Sequence, residues 1–321
     1  MMKVFVTGGT GVLGRPVIRA LVNSGHKVVA LARSPEKISA LRALGAEPAA
    51  ASLFDPSSLR DNMQGCDAVL HLATRIPKTS DMKSPHAWAQ NDCIRKDGTG
   101  NLVDAALATG KVKTFIYPSV FFMYGDGGDT WQSAATAELN PPAPLQSTLT
   151  AENHVTRFAA HGGENRGINL RFGSFYGPGS RDSQDMLSMA RKGIMMPLAS
   201  GGTFKSMIWV EDAASAMIAA LNHAKSGTFD VAETEPYTQD QAIKALAVAV
   251  GRRSLFKLPR FLLRFALKPD MRGLLGRSQR ITSQEFRDMT GWKPEVKNQT
   301  EGWQRIAQGD ARTSIAKAKA A

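Results

Sequence analysis

Three glycines stand between the first apolar run of the chain and its first helical pattern. Residues 3–7 (KVFVT) predict a short strand, and the following TGGTGVLGRP places Gly8, Gly11 and Gly14 at the entry to a helix. The first glycine permits a tight turn, the second lets a phosphate approach the backbone, and the third lets the helix pack on the strand. The free N–H groups of a helix start favour an anion. The turn therefore predicts a dinucleotide site formed by Gly8, Thr10, Gly11, Val12, Leu13 and Gly14.

Apolar runs and helical patterns alternate through the first half of the chain. The runs at 27–32, 67–74, 114–119 and 168–172 are apolar along their whole length, which is typical of strands buried on both faces. Parallel strands need a crossover helix between neighbours, and helical patterns occupy the intervals. The longest of these patterns predicts a helix across roughly 86–110. We predict an α/β fold, a doubly wound parallel sheet (Rossmann) with a smaller, mostly helical C-terminal substrate lobe.

The pattern changes after Tyr176, where loops rich in Gly, Pro, Ser and Met begin. We assign 1–176 plus 206–232 to an NADP-binding Rossmann domain, 177–205 plus 233–308 to the substrate lobe, and 309–321 to a flexible tail. An apolar substrate cleft in the second lobe is suggested by its methionines and phenylalanines, although such residues are core more often than lining: Met186, Met189, Met195, Met196, Phe261 and Phe265.

The end of the second predicted strand carries Arg33, in VVALARSPEK. About 20 residues beyond the glycine turn, an acidic side chain would bind the ribose 2′-hydroxyl of NAD, whereas an arginine accommodates the 2′-phosphate of NADP. An ordinary surface arginine is the alternative. The missing Asp or Glu, together with the neighbouring Ser34, favours NADP, with NADPH preferred over NADH.

The formal net charge of +12 raises the question of an acidic partner. The densest basic run is 252–280, where Arg and Lys alternate with Leu and Phe and only Asp270 opposes them. A mobile amphipathic lid or a subunit contact is the favoured interpretation. Contact with a membrane surface is an alternative. Binding of nucleic acid is not expected, because the segment lacks the interleaved polar and aromatic side chains of an RNA-binding face.

The composition predicts a soluble, cytoplasmic protein. No stretch approaches the roughly 18 to 20 apolar residues of a membrane span, and the N-terminus shows no signal-peptide pattern. Cys66 and Cys93 have neither CxxC spacing nor a nearby histidine cluster, so we expect two buried thiols and no metal site.

Several further stretches carry a resemblance to the extended short-chain dehydrogenase/reductase superfamily, the NAD(P)-dependent epimerase/dehydratase family. They are DAVLHLAT (67–74), NDCIRKDGTGNLVDAA (91–106), FIYPSVFFMYG (115–125), NLRFGSFYGPGS (169–180), MIWVEDAASAMIAAL (207–221) and GWKPEV (291–296). The resemblance covers nearly the whole chain and implies a homodimer through two long helices, one of them 145–160. It also implies further cofactor contacts from Leu53, Leu72, Ala73, Thr74, Ser119, Phe172, Gly173 and Ser174.

The same family uses a tyrosine, a lysine four residues later, and a Ser or Thr for proton transfer, and this chain departs from that pattern. Aligning the glutamate of the family's YxxxKxxxE helix with Glu152 puts Thr148 at the lysine and Pro144 at the tyrosine. No lysine occurs between residues 114 and 191, and none of the four tyrosines is followed by a lysine four residues on. Weak catalytic candidates remain, each with a structural alternative: Ser119, Tyr124 and Thr148. Ser147 and Glu152 are interpreted as a helix-start arrangement rather than as an acid–base pair.

Two functions stay open. The first is an oxidoreductase with a non-standard active site that acts on a small or apolar substrate, and it is favoured. The second is a catalytically silent regulatory or structural module that binds NADP(H). General acid catalysis contributes about 10²- to 10⁴-fold, so its loss slows a carbonyl reductase without changing its affinity for the cofactor.

Overall fold

The computed structural model describes residues 1–77 and 86–320. In chain order the strands are β1 (Lys3–Thr7), β2 (Lys27–Leu31), β3 (Glu47–Ala49), β4 (Ala68–His71), β5 (Thr114–Val120), β6 (Trp131–Gln132), β7 (Arg166–Phe172), β8 (Ser174–Tyr176), β9 (Ile194–Met195), β10 (Phe204–Lys205), β11 (Met207–Trp209), β12 (Gly227–Val231), β13 (Tyr237–Thr238), β14 (Phe256–Lys257) and β15 (Arg280–Ile281).

The helices are α1 (Gly14–Asn23), α2 (Pro35–Ala43), α3 (Pro56–Asn62), α4 (Ala89–Cys93), α5 (Thr99–Thr109), α6 (Gln146–Ala160), α7 (Arg181–Arg191), α8 (Val210–His223), α9 (Gln239–Ala249), α10 (Leu263–Ala266), α11 (Pro269–Gly276), α12 (Gln284–Thr290) and α13 (Gln299–Ala320). None of the helices within the described ranges is long and apolar enough to cross a membrane.

Seven strands form one parallel sheet in the order β12-β7-β5-β4-β1-β2-β3. The chain builds outward from β1 in one direction through β2 and β3, and in the other through β4, β5, β7 and β12. The order therefore reverses between β1 and β4, and the carboxyl ends of these two strands form the crevice in which open α/β sheets bind ligands. The predicted doubly wound α/β fold is confirmed.

The sheet is buried on both faces. One apolar core lies under α1 and α8, and the other lies under α3, α5 and α6. Val4, Val6 and Leu70 point into the first, whereas Phe5 and Val69 point into the second, as the alternation of side chains along a strand requires. Burying each such side chain contributes about 1.5–3 kcal/mol, so both faces fix the register of the strands.

A separate apolar core belongs to the C-terminal elements. The ring of Tyr176 packs edge-on against Trp209 and lies 5.3 Å from that of Trp303, beside α9 and α13. A smaller cluster joins the residues just after β5 and before α6 to the 263–274 segment; its buried members are Met123, Leu145, Leu263, Leu267, Met271 and Leu274.

Three local predictions need correction. Cys66 is buried, as expected, but Cys93 is exposed on α4. Phe261 and Phe265 are 58% and 63% exposed, so they do not line a cleft. The long helix predicted across 86–110 is interrupted between α4 and α5 by a π-helical turn, Ile94–Gly98.

Candidate functional site

The glycine turn has the close contacts that the sequence predicts. Gly8 has a φ of 71°, and a Cβ built on it would lie 2.5 Å from the backbone carbon of Leu72. A Cβ on Gly14 would collide with the carbonyl oxygen of Gly8. The turn is thus pressed between the start of α1 and the end of β4, and larger residues do not fit at these two positions.

A cleft of about 300 Å³ opens beside the glycine turn. Its lining combines the turn, two arginines of α1 and residues that precede α7 and begin α8: Thr10, Gly11, Val12, Arg15, Pro16, Arg19, Pro178, Gly179, Val210 and Glu211. The amide groups of Val12 and Leu13 make no hydrogen bond to the rest of the described chain. Unpaired amides at a helix N-terminus beside two arginines match the charge of a pyrophosphate.

Arg33 lies two residues after β2, on the edge of the sheet where the glycine turn follows β1. Its side chain is exposed, and Ser34 caps α2 by accepting a hydrogen bond from the amide of Lys37. No hydrogen bond or ion pair with the described residues holds its guanidinium, which lies at a strand end next to the crevice. A cofactor that extends from the glycine turn towards β2 would meet it.

The end of β4 provides the opposite wall. His71 is fully buried and shares a 2.7 Å hydrogen bond with the hydroxyl of Thr7, its neighbour on β1. Burial, reinforced by the charge of Arg95, lowers the pKa of His71 to about 4, so the imidazole is neutral at pH 7. After His71, Leu72 is buried, Ala73 half-buried and Thr74 exposed, so solvent exposure increases along the chain towards the crevice.

Leu53 and the segment after β7 complete the predicted contacts. The carbonyl of Leu53 accepts a 2.9 Å hydrogen bond from Asn101 of α5. Phe172 is buried in the sheet core and Ser174 is half-buried. Between them a Cβ on Gly173 would lie 2.9 Å from the backbone of Met207, so this turn is tightly packed.

A buried arginine contacts Thr148, the residue that the sequence alignment puts at the family's lysine. Arg95 projects from the π-helical turn, is 3% exposed, and donates a 2.6 Å hydrogen bond from Nη1 to Oγ1 of Thr148. The hydroxyl of Tyr117 is buried beside it; burial raises the pKa of Tyr117, and the positive charge of Arg95 opposes that rise. A permanent cation therefore lies against the hydroxyl that aligns with the lysine.

One turn further along α6, Glu152 is the centre of a buried ion pair. Arg171 of β7 donates to both carboxylate oxygens, from Nε at 2.9 Å and from Nη2 at 2.6 Å. Ser119 donates to the same carboxylate at 2.5 Å. The interpretation of Ser147 and Glu152 as a helix-start arrangement is wrong, because α6 has no side-chain cap and the glutamate is held by β5 and β7.

Tyr124 is fully buried and bonded to an acid. Its hydroxyl donates a 2.7 Å hydrogen bond to Asp230 of β12, and the guanidinium of Arg171 lies 5.0 Å from its ring centre. Burial, together with the charge of Asp230, raises the pKa of Tyr124 well above its usual value. Burial also raises the pKa of Asp230 to about 7, although Tyr124 and the amide of Ala134 both donate to it.

The three catalytic candidates therefore lie in one buried polar row, and each hydroxyl already has a protein partner. Ser119 bonds to Glu152, Tyr124 to Asp230, and Thr148 accepts from Arg95. Sequence reasoning missed Arg95, Arg171 and Asp230. The signal for the first was the presence of a charged residue inside the helix that resembles the family pattern; the other two sit in strands that otherwise read as apolar. No metal-binding cluster of His, Cys, Asp or Glu occurs in 1–77 and 86–320.

Comparisons with known proteins identify the family of the chain. The model of the NAD-dependent epimerase/dehydratase family matches residues 4–232. A 3-diazoavenalumate denitrifying reductase of a Streptomyces species is 30% identical over 305 residues, covering 91% of this chain and 96% of that protein. A 2-alkyl-3-oxoalkanoate reductase of Stenotrophomonas maltophilia is 26% identical and a ceramide reductase of Caulobacter vibrioides 25%, covering 78% and 80% of this chain and 76% and 73% of theirs.

Solved structures share the fold at low identity. A UDP-glucose 4-epimerase of Thermotoga maritima superposes with a TM-score of 0.79 at 20% identity, covering 97% of this chain and 99% of its own. A human epimerase family protein solved with NADPH gives 0.74 at 21% identity, covering 96% and 99%. The chain belongs to the NAD-dependent epimerase/dehydratase family, within the extended short-chain dehydrogenases/reductases.

Proposed function

We propose that the chain is an NADP(H)-dependent reductase of a small or apolar substrate, in which Arg95 replaces the charge of the family's lysine. The main observation that supports this proposal is the 2.6 Å hydrogen bond from Arg95 to Thr148. Because the threonine oxygen accepts from a cation, its own proton remains available for a second acceptor, which we assign to the ribose hydroxyls of the cofactor. The guanidinium polarises that hydroxyl more strongly than a neutral donor would.

The residues fit a nicotinamide dinucleotide. Gly8 and Gly14 are too closely packed for a Cβ, and the amides of Val12 and Leu13 are unpaired within the described chain. Arg33 is exposed just after β2, and we assign it to a 2′-phosphate. The cofactor, when bound, supplies hydride. Arg33 is the residue that we assign to the choice of NADPH over NADH.

Proton delivery, in contrast, has no obvious donor in the described site. Ser119 and Tyr124 direct their hydroxyl protons to buried carboxylates, and the pKa of Tyr124 is raised rather than lowered. A carbonyl oxygen needs a proton when hydride adds to carbon. We therefore expect an electrophile whose reduction consumes none.

An aryl diazonium ion is such an electrophile, because hydride replaces dinitrogen and the balance closes without a proton: ArN₂⁺ + H⁻ → ArH + N₂. The relative described above that covers 91% of this chain is a reductase named for removing nitrogen from a diazo compound. That name supports the same class of reaction here. Simple ketones should be poor substrates, slower by about 10²-fold or more.

The test follows deuteride from C4 of labelled NADPH into product, with a water-soluble carboxyphenyl diazonium salt or an aliphatic ketone as acceptor. We expect deuterium to enter the arene faster than in a control without protein, and we expect little deuterium to enter the alcohol. Faster reduction of the ketone would overturn the assignment of the electrophile.

The role of Arg95 is tested by moving its charge. Arg95→Met should lower kcat/KM and weaken NADPH binding by about tenfold or more, the worth of one charged hydrogen bond. Lys96→Met, on the same turn but exposed, should change neither. Arg95→Met combined with Thr148→Lys should recover both, and failure of this relocated charge to recover NADPH affinity would refute the role.

The second function, a silent NADP(H)-binding module, draws support from the complete burial of the catalytic candidates. Ser119, Tyr124 and Thr148 are at most 1% exposed. It requires NADPH to raise the melting temperature while neither acceptor gains deuterium. That pair of results would exclude the reductase.

A further inference from the structure

Residues 252–272, here called the basic segment, expose large aromatic side chains. Phe256, Phe261 and Phe265 are 65%, 58% and 63% exposed. Burying such rings is worth about 1.5–3 kcal/mol each, so a folded chain normally covers them. Three within ten residues form a concentrated apolar surface.

Cations surround these rings. The basic segment contains seven Arg and Lys residues against one acid, Asp270. All seven are exposed: Arg252, Arg253, Lys257, Arg260, Arg264, Lys268 and Arg272. The guanidinium of Arg264 lies 5.5 Å and 4.7 Å from the rings of Phe261 and Phe265, so charge and aromatic surface are presented together.

The opposite side of the basic segment faces the protein. Leu263, Leu267 and Met271, which come from α10, the extended link after it and α11, are buried in the small cluster that also contains Met123 and Leu145. Leu145 immediately precedes α6, three residues before Thr148. One short amphipathic segment therefore separates the exposed aromatic surface from an apolar region next to the candidate site.

We propose that the basic segment docks the protein on an anionic lipid bilayer, with its phenylalanines at the headgroup boundary. The charge of the segment favours a lipid surface as its partner, because an excess of six cations over 21 residues complements an anionic surface. Phenylalanine interleaved with basic residues is also typical of segments that lie at a membrane interface. A second copy of this chain would bring the same cations together and repel. Docking does not depend on the proposed reaction, but it would bring an apolar substrate to the buried side of the segment.

Vesicle co-sedimentation tests the docking with the full-length protein. We expect binding to vesicles of phosphatidylcholine with 30–40% phosphatidylglycerol, a content of roughly the order used to mimic anionic leaflets, and little to phosphatidylcholine alone. Raising the salt to about 0.5 M should weaken it, because the Debye length shortens. Equal binding to both kinds of vesicle, or to neither, would overturn the proposal.

Two variants and a matched control locate the contact. Arg260→Glu with Lys268→Glu should reduce partitioning by at least about 25-fold, at about fivefold for each cation lost. Lys37→Glu with Arg42→Glu changes the net charge equally, but on exposed α2, and should have a much smaller effect. Equal losses in the two pairs would show that only net charge matters and would overturn the assigned surface.

Replacing Phe256, Phe261 and Phe265 by serine should reduce partitioning by about 100-fold or more, while the thermal unfolding midpoint stays near that of the parent because the rings are exposed. Sedimentation velocity tests the alternative occupant of this surface, a second copy of this chain. A change in oligomeric state on this substitution, with vesicle binding intact, would identify a contact between copies and refute membrane docking.

Discussion

Breaking the ion pair between Glu152 and Arg171 should destabilise the fold severely. Glu152→Gln keeps the shape and the acceptor for Ser119 but removes the charge that neutralises the guanidinium. The two side chains are 5% and 6% exposed and are joined by two short hydrogen bonds. Removal of one partner from a buried pair costs about 3–5 kcal/mol, a large part of the 5–15 kcal/mol that stabilises a typical protein.

The same helix offers a matched control. Asp104 pairs with Arg157 of α6 at 2.8 Å, but these side chains are 59% and 48% exposed. Solvent screens this pair, so Asp104→Asn should cost about 0–1 kcal/mol. The contrast between two ion pairs of similar length on one helix isolates the effect of burial.

Urea denaturation followed by circular dichroism measures both costs, provided that the slope with urea is unchanged. A third variant, Glu152→Leu with Arg171→Met, should lose less stability than Glu152→Gln, because no charge is left buried alone. A loss below 1 kcal/mol for Glu152→Gln, or one equal to that for Asp104→Asn, would refute the reasoning.

Three further measurements address the cofactor turn and the acid beside Tyr124. NADPH should raise the melting temperature more than NADH, and Arg33→Asp should reverse that order; equal shifts in the parent would contradict the NADP assignment. Gly8→Ala should abolish NADPH binding, because its Cβ meets the backbone of Leu72, whereas Gly65→Ala, with a similar φ of 74° but open space around it, should cost only about 1–2 kcal/mol of strain. Asp230 binds a proton in the folded state up to a pKa of about 7 and in the unfolded state only below about 4, so its contribution to stability is present at low pH and is lost as pH rises through that window. Urea titrations at pH 5 and pH 8 span about two pH units of that window, so Asp230→Asn should remove about 2.5 kcal/mol of the difference in stability between these two pH values.

The parts of the fold that the sequence predicts are those specified locally. The glycine turn and the alternation of apolar runs with helical patterns are readable within windows of ten to twenty residues, and they fix the parallel sheet. The buried polar row is not local. Its bonds join residues 53, 33 and 106 positions apart, from Arg95 to Thr148, Ser119 to Glu152 and Tyr124 to Asp230.

Periodicity tells which face of an element is buried, but not which charged side chain on another element will meet it. Arg171 and Asp230 illustrate this limit: their strands are predicted correctly, yet nothing nearby in the sequence reveals that they neutralise Glu152 and bind Tyr124. Residues 114–191, which include α6, contain no lysine. The cation came instead from residue 95, on a neighbouring helix.

The π-helical turn at Ile94–Gly98 carries a consequence for how this site tolerates change in length. A π turn holds one residue more than an α turn, so it rotates α4 by about 100° relative to α5. Deleting a single residue there would restore a regular helix and would swing either Arg95 away from Thr148 or the buried face of α5 away from the sheet. Substitutions can therefore change the charge beside Thr148 without moving the helices, whereas a change in the number of residues between Asn91 and Thr99 would move one of them.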